Sequence, residues 1–246
     1  MLEALNAAAR DFFRPRMLGL VLWPLLGSLL LWGGLLYYFW HSLAQWLQHL
    51  AAVWYLPRWV GEAVLRWLSQ FGLALAALLM VPALVHGTAL LITAIVAMPV
   101  MVREVTRRDY PQLEARHGGS FAGATWNALA STFAYLLLWL LTLPLWLLGF
   151  PAAVLPVLLN GWLNDRLFRY DALSGHASRE EYRLLSRRAG GRFFLLGCIA
   201  AAIQLVPLLN LITPVYSGLS FIHFACTELA RLRLAPAAAP VRPRRI

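Results

Sequence analysis

Seven residues carry the recognition chemistry that the chain has to offer. Arg14 and Arg16 precede the first long apolar run, and Arg103 and Glu104 close the second. Pro207, Asn210 and Pro214 interrupt the last apolar run. Guanidinium forks replace water around a tetrahedral oxyanion, so Arg14 and Arg16 suit the mouth of an anion path. As long side chains beside apolar helices, they equally suit snorkelling to a membrane interface. A helix broken at Pro207 and Pro214 exposes orphan backbone groups, and its N-terminal ends favour anions. Asn210 either lines that break or caps the helix after it. Arg103 with Glu104 reads as a gate or a structural pair.

Other chemistry is excluded by what the chain lacks. It contains no HExxH, G-x-S-x-G or Walker sequence, so no enzyme is expected. Cys198 and Cys226 stand 28 residues apart, outside any CxxC or metal spacing, and read as small buried side chains. His86 and His223 lie in apolar runs and read as satisfied buried imidazoles rather than ligands or proton carriers. Asp165 and Asp171 stand beside Arg166 and Arg169, where local ion pairing is expected. No cofactor or metal is implied. The formal charge of +10 comes without a nucleic-acid recognition motif, and its arginines flank apolar runs, so no nucleic-acid partner is expected.

The elements that position these residues are membrane helices. Of the 246 residues 61% are hydrophobic and 13% charged, against about 25% charged in soluble domains. All 21 basic residues are Arg. Residues 1–13 read as a short amphipathic helix at the membrane surface, with Glu3 and Asp11 breaking any signal-peptide pattern. Residues 17–40 form a first span, kinked at Pro24 and ending in Tyr37, Tyr38 and Trp40. Residues 41–70 read as interfacial helices with Arg58, Glu62 and Arg66 at i, i+4, i+8 spacing. Residues 71–102 are a second span, too long unless tilted, kinked or protruding. Residues 120–163 bend at Pro144, Gly149, Pro151 and Pro156. Ser178 and Glu181 read as a capping box opening an amphipathic helix from Arg179 to about Ala189.

Phe193 to Phe224 then holds 32 residues without an ionisable Asp, Glu, Lys or Arg, and arginines crowd both its flanks. One span needs about 20 residues, so this stretch is too long for one and too short for two. Basic flanks favour one side of the membrane. Segments 1–16, 103–118, 165–192 and 225–246 hold three, four, seven and five arginines, which puts 19 of 21 inside. The expected fold is therefore all-α and integral to the membrane. It has two long spanning helices, two re-entrant helical hairpins and interfacial amphipathic helices, with the second hairpin too short to cross. Residues 1–234 form one domain, and 235–246 a disordered basic Pro/Ala-rich tail. The bilayer is a partner, and both termini are expected on the cytoplasmic side.

The run LVPLLNLITPVYSG at 205–218, after the basic segment 179–192, resembles the C-terminal signature of CysZ-type proteins, the bacterial sulfate permease family. RMLGLVLWPLLGSLLLWGG at 16–34, AMPVMVREVTRRDYPQLEARHGG at 97–119 and NDRLFRYD at 164–171 resemble its other blocks, in order. The resemblance implies an oligomeric inner-membrane protein that admits sulfate or a similar anion for cysteine synthesis. The chain departs from it at Arg16–Met17–Leu18–Gly19, where such permeases carry Gly-x-Arg-Arg, and at Val100 and Met101. A non-transporting membrane scaffold of the same fold is the alternative.

Overall fold

A computed structural model describes residues 1–53, 61–92 and 96–234. The described residues are mostly helical, with an irregular segment at 113–120 and no strand among them. The chain divides into two compact units, one of Gly19–Ala94 and one of Met1–Leu18 with Ile95–Ile246.

The first of these units is built on two long helices. Helix α2 runs from Pro15 to Val53, beginning just before the division, and α3 from Glu62 to Ile92. Trp32 Nε1 donates to Thr88 Oγ1 at 2.9 Å, and Gln48 Nε2 to Ser69 Oγ at 3.4 Å. Early α2 thus meets late α3, so the helices run antiparallel. Buried Ser28 donates to the carbonyl of Pro24, one turn before it, which keeps that hydroxyl satisfied inside the helix. Residues 41–53 are not a separate interfacial helix. They continue α2, because no Pro or Gly in that stretch stops a helix already running. The pairing expected of Arg58, Glu62 and Arg66 rests on side chains outside the described ones.

In the second unit the chain is arranged around α10, Thr213–Leu234, whose middle is buried on nearly every side. Helix α1, Leu2–Phe12, lays Ala4, Ala8 and Phe12 against it. The surface helix expected for residues 1–13 therefore turns its apolar stripe onto protein. Helix α4, Met98–Asp109, carries Pro99 in its first turn and packs Met98 and Met101 over Gly218, where a side chain on α10 would collide with Met101. The 32-residue run at 71–102 is shared between α3, which ends at Ile92, and α4, which begins at Met98, and residues 93–95 between them lie outside the described ones.

Helix α5, Phe121–Thr142, leads through a 3₁₀ turn, Leu143–Leu148, into α6, Phe150–Leu173. Gly149 closes that turn at φ +76°, a conformation only glycine adopts readily. Tyr135 donates to Asn160 and Asn127 to the carbonyl of Arg166, so α5 and α6 are antiparallel. Helix α7, Arg179–Arg188, opens with the expected capping box, Ser178 and Glu181 each satisfying the other's backbone N–H. Helix α8, Gly190–Gln204, is followed by the short α9, Pro207–Asn210, and then α10.

Phe193 of α8 stacks among Phe221 and Phe224 of α10, at centroid distances of 6.2 and 4.8 Å. Helices α6 and α8 cross with almost nothing between their backbones. A Cβ on Gly197 would collide with the carbonyl oxygen of Gly161, and one on Gly161 would reach the backbone of Cys198. Small residues allow such an approach, as in membrane helix pairs. Cys198 and Cys226 are free thiols, the second fully buried.

Among the described residues, three helical stretches are long and apolar enough to cross a membrane: Pro15–Leu50, Trp67–Ala89 and Ala122–Trp146. Only 6% of the most apolar window of the third is buried by protein. Trp126, Phe133, Leu140 and Leu141 stand outward along it, a surface that water would not tolerate uncovered. Helix α8, with 15 residues, reaches only about 22 Å, short of a hydrocarbon core of about 30 Å.

Candidate functional site

The break between α8 and α10 is a tightly turned segment. Pro207 stands first in α9, where its missing N–H is not needed. The Asn210 amide donates to Val206 O at 2.9 Å, and the Thr213 hydroxyl donates to Leu209 O at 2.6 Å. Pro214 follows in the first turn of α10. The Asn210 carboxamide is half-buried and makes no side-chain hydrogen bond among the described residues, so it neither caps α10 nor is committed elsewhere.

Arg14 and Arg16 lie at the other end of this unit. Arg14 Nε is 3.1 Å from Asp11, and Arg16 Nη1 is 3.1 Å from Glu104 Oε1. Asp11 in turn contacts His223, nine residues and about 14 Å along α10 from Pro214. Leu5, earlier in α1, meets Tyr216, so α1 and α10 run parallel and Arg14 points away from the break. Arginines and break are therefore not brought together. Glu104 meets Arg16 rather than its neighbour Arg103, because adjacent helical residues point about 100° apart and cannot face one another.

Around the latter half of α10 lies a polar network that the sequence reading did not identify. Asp11, 3% exposed, accepts from Arg108 Nη2 at 2.7 and 3.0 Å and lies 3.0 Å from His223 Nε2. Tyr110 joins it, 3.4 Å from His223 Nδ1 and 3.0 Å from Thr227. Burial alone would lower the Arg108 pKa, but hydrogen bonds to Asp11 and Asp109 outweigh it and raise it. The oxygens of Asp11 and Asp109 and a nitrogen of His223 lie within 4.8 Å, a spacing that could hold a metal. Arg108 Nη2 already bridges the two carboxylates, so the cation in that position is a guanidinium.

The pattern repeats twice. Glu181 accepts from Arg116 at 2.8 Å and Arg233 at 3.0 Å, and Glu228 from Arg192 at 2.8 Å and Arg231 at 3.2 Å. Burial works against the Glu181 carboxylate, yet Arg233 and the Ser178 amide hold its pKa below the ordinary value. The segment before α5 is set for this by backbone bonds from His117, Gly118 and Gly119 to the turn after α6. Each buried carboxylate is thus shared by two arginines, leaving net positive charge at this end of α10. A signal for Asp11 was present: it falls on the same helical stripe as Ala4, Ala8 and Phe12, where a carboxylate must find partners.

Asp165 pairs with Arg169 one turn on, at 3.4 Å, as the local reading expects. Asp171 has no ion-pair partner among the described residues, and burial pushes its pKa from 3.8 to about 6. A carboxyl raised in the folded state contributes stability fully below 3.8 and loses it as pH rises through about 6. Asp171→Asn is expected to raise stability by about 2–3 kcal/mol at pH 7.5 and to change nothing at pH 3.5. Thermal unfolding of both proteins at the two pH values checks it, and equal gains at both would contradict it.

These helices, with long apolar flanks turned outward and arginine-rich ends, define an all-α protein of membrane type. The chain belongs to the family described as Sulfate transporter CysZ/Etoposide-induced protein 2.4, whose family model matches residues 4–214. That match covers Arg14, Arg16, the break and Pro214, and ends before His223 and Glu228. No curated protein and no solved structure matches the chain.

Proposed function

We propose that the protein is a bacterial inner-membrane permease for sulfate or a related oxyanion, feeding sulfur assimilation and cysteine synthesis. The observation that carries this reading is the match to the sulfate-transporter family over residues 4–214. In this reading α2 and α3 span the bilayer. Helices α5–α6 and α8–α10 form hairpins that return to the cytoplasmic side, where both termini lie. The short α8 supports a second hairpin that does not cross. Arg14 and Arg16 attract the anion, and Asn210 with the helix ends at Pro207 and Pro214 lines its route. Arg103 and Glu104 form part of the inner mouth, Glu104 through Arg16. Copies of the chain assemble as a homo-oligomer, covering part of the apolar exterior.

Sulfate uptake into liposomes holding the purified protein tests it. Wild-type protein is expected to take up sulfate well above empty liposomes, and Arg14→Ala and Arg16→Ala to lower uptake by about threefold to tenfold. Uptake equal to empty liposomes would defeat the permease reading and leave a membrane scaffold. Equal uptake of sulfate and chloride would replace selective transport by an open pore.

A further inference from the structure

Helix α7, Arg179–Arg188, leaves half of its surface without a protein partner. Glu181 and Leu185 turn inward, Glu181 onto Arg116 and Arg233. Arg179, Arg183 and Arg187 follow one another at i, i+4, i+8, so they form a single exposed row about 12 Å long. Arg188 and Leu184 stand exposed beside it, Leu184 at 42%. None of these four guanidinium groups has an ion-pair partner among the described residues, and the one acid on that face, Glu180, meets none of them. The buried carboxylates at this end of the unit are already taken, Glu181 and Glu228 each being shared by two other arginines.

Both ends of α7 are tied to apolar helices. At its start, Gly118 donates to Ala177 O at 3.0 Å and Gly119 to Ser174 O at 2.9 Å, which fixes the segment leading into α5 against the turn before α7. Trp126, 73% exposed in the second turn of α5, stands at the level that indole side chains take where lipid meets water. At its end, Ala189 alone separates α7 from α8, whose Leu195 is exposed in the second turn. A short helix held at both ends where apolar helices begin lies along the membrane surface. A basic row there meets lipid phosphates, and a leucine among the arginines adds an apolar foot that a purely solvated face does not need. We propose that this face of α7 docks on the head groups of anionic phospholipids, with Arg179, Arg183, Arg187 and Arg188 taking the phosphates and Leu184 entering between the head groups. The proposal rests on the placement of α5 and α8 in the membrane and not on flux, so failure of the permease reading leaves it standing.

The test is binding of fluorescent phosphatidylglycerol and phosphatidylcholine to the full chain in lipid-free detergent. Wild-type protein is expected to prefer phosphatidylglycerol by about tenfold or more, and Arg183→Gln with Arg187→Gln to erase most of that preference. Arg10→Gln with Arg107→Gln removes the same charge from exposed positions on α1 and α4 and is expected to leave the preference within about twofold. Equal losses in the two variants would overturn the site, since net charge alone would then hold the lipid. Displacement of the lipid by inorganic sulfate or phosphate at comparable concentration would overturn it in favour of a free-anion site. Displacement by a DNA oligonucleotide would overturn it in favour of a general polyanion surface. A second measurement uses nanodiscs and a polarity-sensitive dye on Glu180→Cys. The dye is expected to shift to the blue when phosphatidylglycerol replaces part of the phosphatidylcholine, and an unmoved spectrum in folded protein would place α7 off the membrane.

Discussion

Asp11→Ala is expected to cost the folded protein about 3–5 kcal/mol, the cost of removing one member of a buried ion cluster. Asp11 is the shared acceptor for Arg108, Arg14 and His223 on three different elements. Without it, Arg108 keeps only Asp109, and Arg14 and the Nε2 of His223 lose their acceptor. Helix α1 then adheres to α10 by Ala4, Ala8, Phe12 and the long hydrogen bond from Tyr216 to Leu5 O, too little to replace the lost bonds. Asp11→Asn keeps the shape but not the charge and is expected to fall between. Denaturant unfolding in detergent reads the effect. A loss below about 1 kcal/mol would mean that water reaches the cluster and screens it.

Gly197→Val is expected to be at least as damaging, by about 3 kcal/mol or more. Its Cβ would collide with the Gly161 carbonyl, which is backbone and cannot swing aside. Helices α6 and α8 would have to move apart, pulling Asn164 from Gly197 O and Arg169 from Phe193. Gly175→Ala is the matched control, because a Cβ there meets nothing within 4 Å and its φ is ordinary. That variant is expected within about 0.5 kcal/mol of wild type. Comparable losses in both would show that the protein is sensitive to added side chains in general rather than at this crossing.

Local signals were the most legible in the sequence. Ser178 and Glu181 gave the start of α7 because a capping box is complete within four residues. Pro207, Asn210 and Pro214 marked the turn between α8 and α10 for the same reason. Apolar length announced α2, α3 and α5, but not where they stop. Residues 41–53 look interfacial by polarity, yet helix propensity carries α2 straight through them. The site was less legible. The expected Arg103–Glu104 pair depended on neighbours in sequence, whereas Glu104 meets Arg16, 88 positions away. The clusters at Asp11, Glu181 and Glu228 are not legible in the sequence because each takes at least one arginine from a distant segment, Arg108, Arg116 with Arg233, and Arg192 respectively, which no local spacing encodes.

The contact of Gly161 with Gly197 also limits how this unit can move. Two rods touching backbone to backbone can swivel about the point of touch, but they cannot drift apart without losing it. A rearrangement in which α8 tilts would carry Gly190 and Gln204 in opposite directions, like the two ends of a pair of scissors. Spin labels placed on both ends would then report changes of opposite sign from a fixed reference on α6, with little change beside the fulcrum.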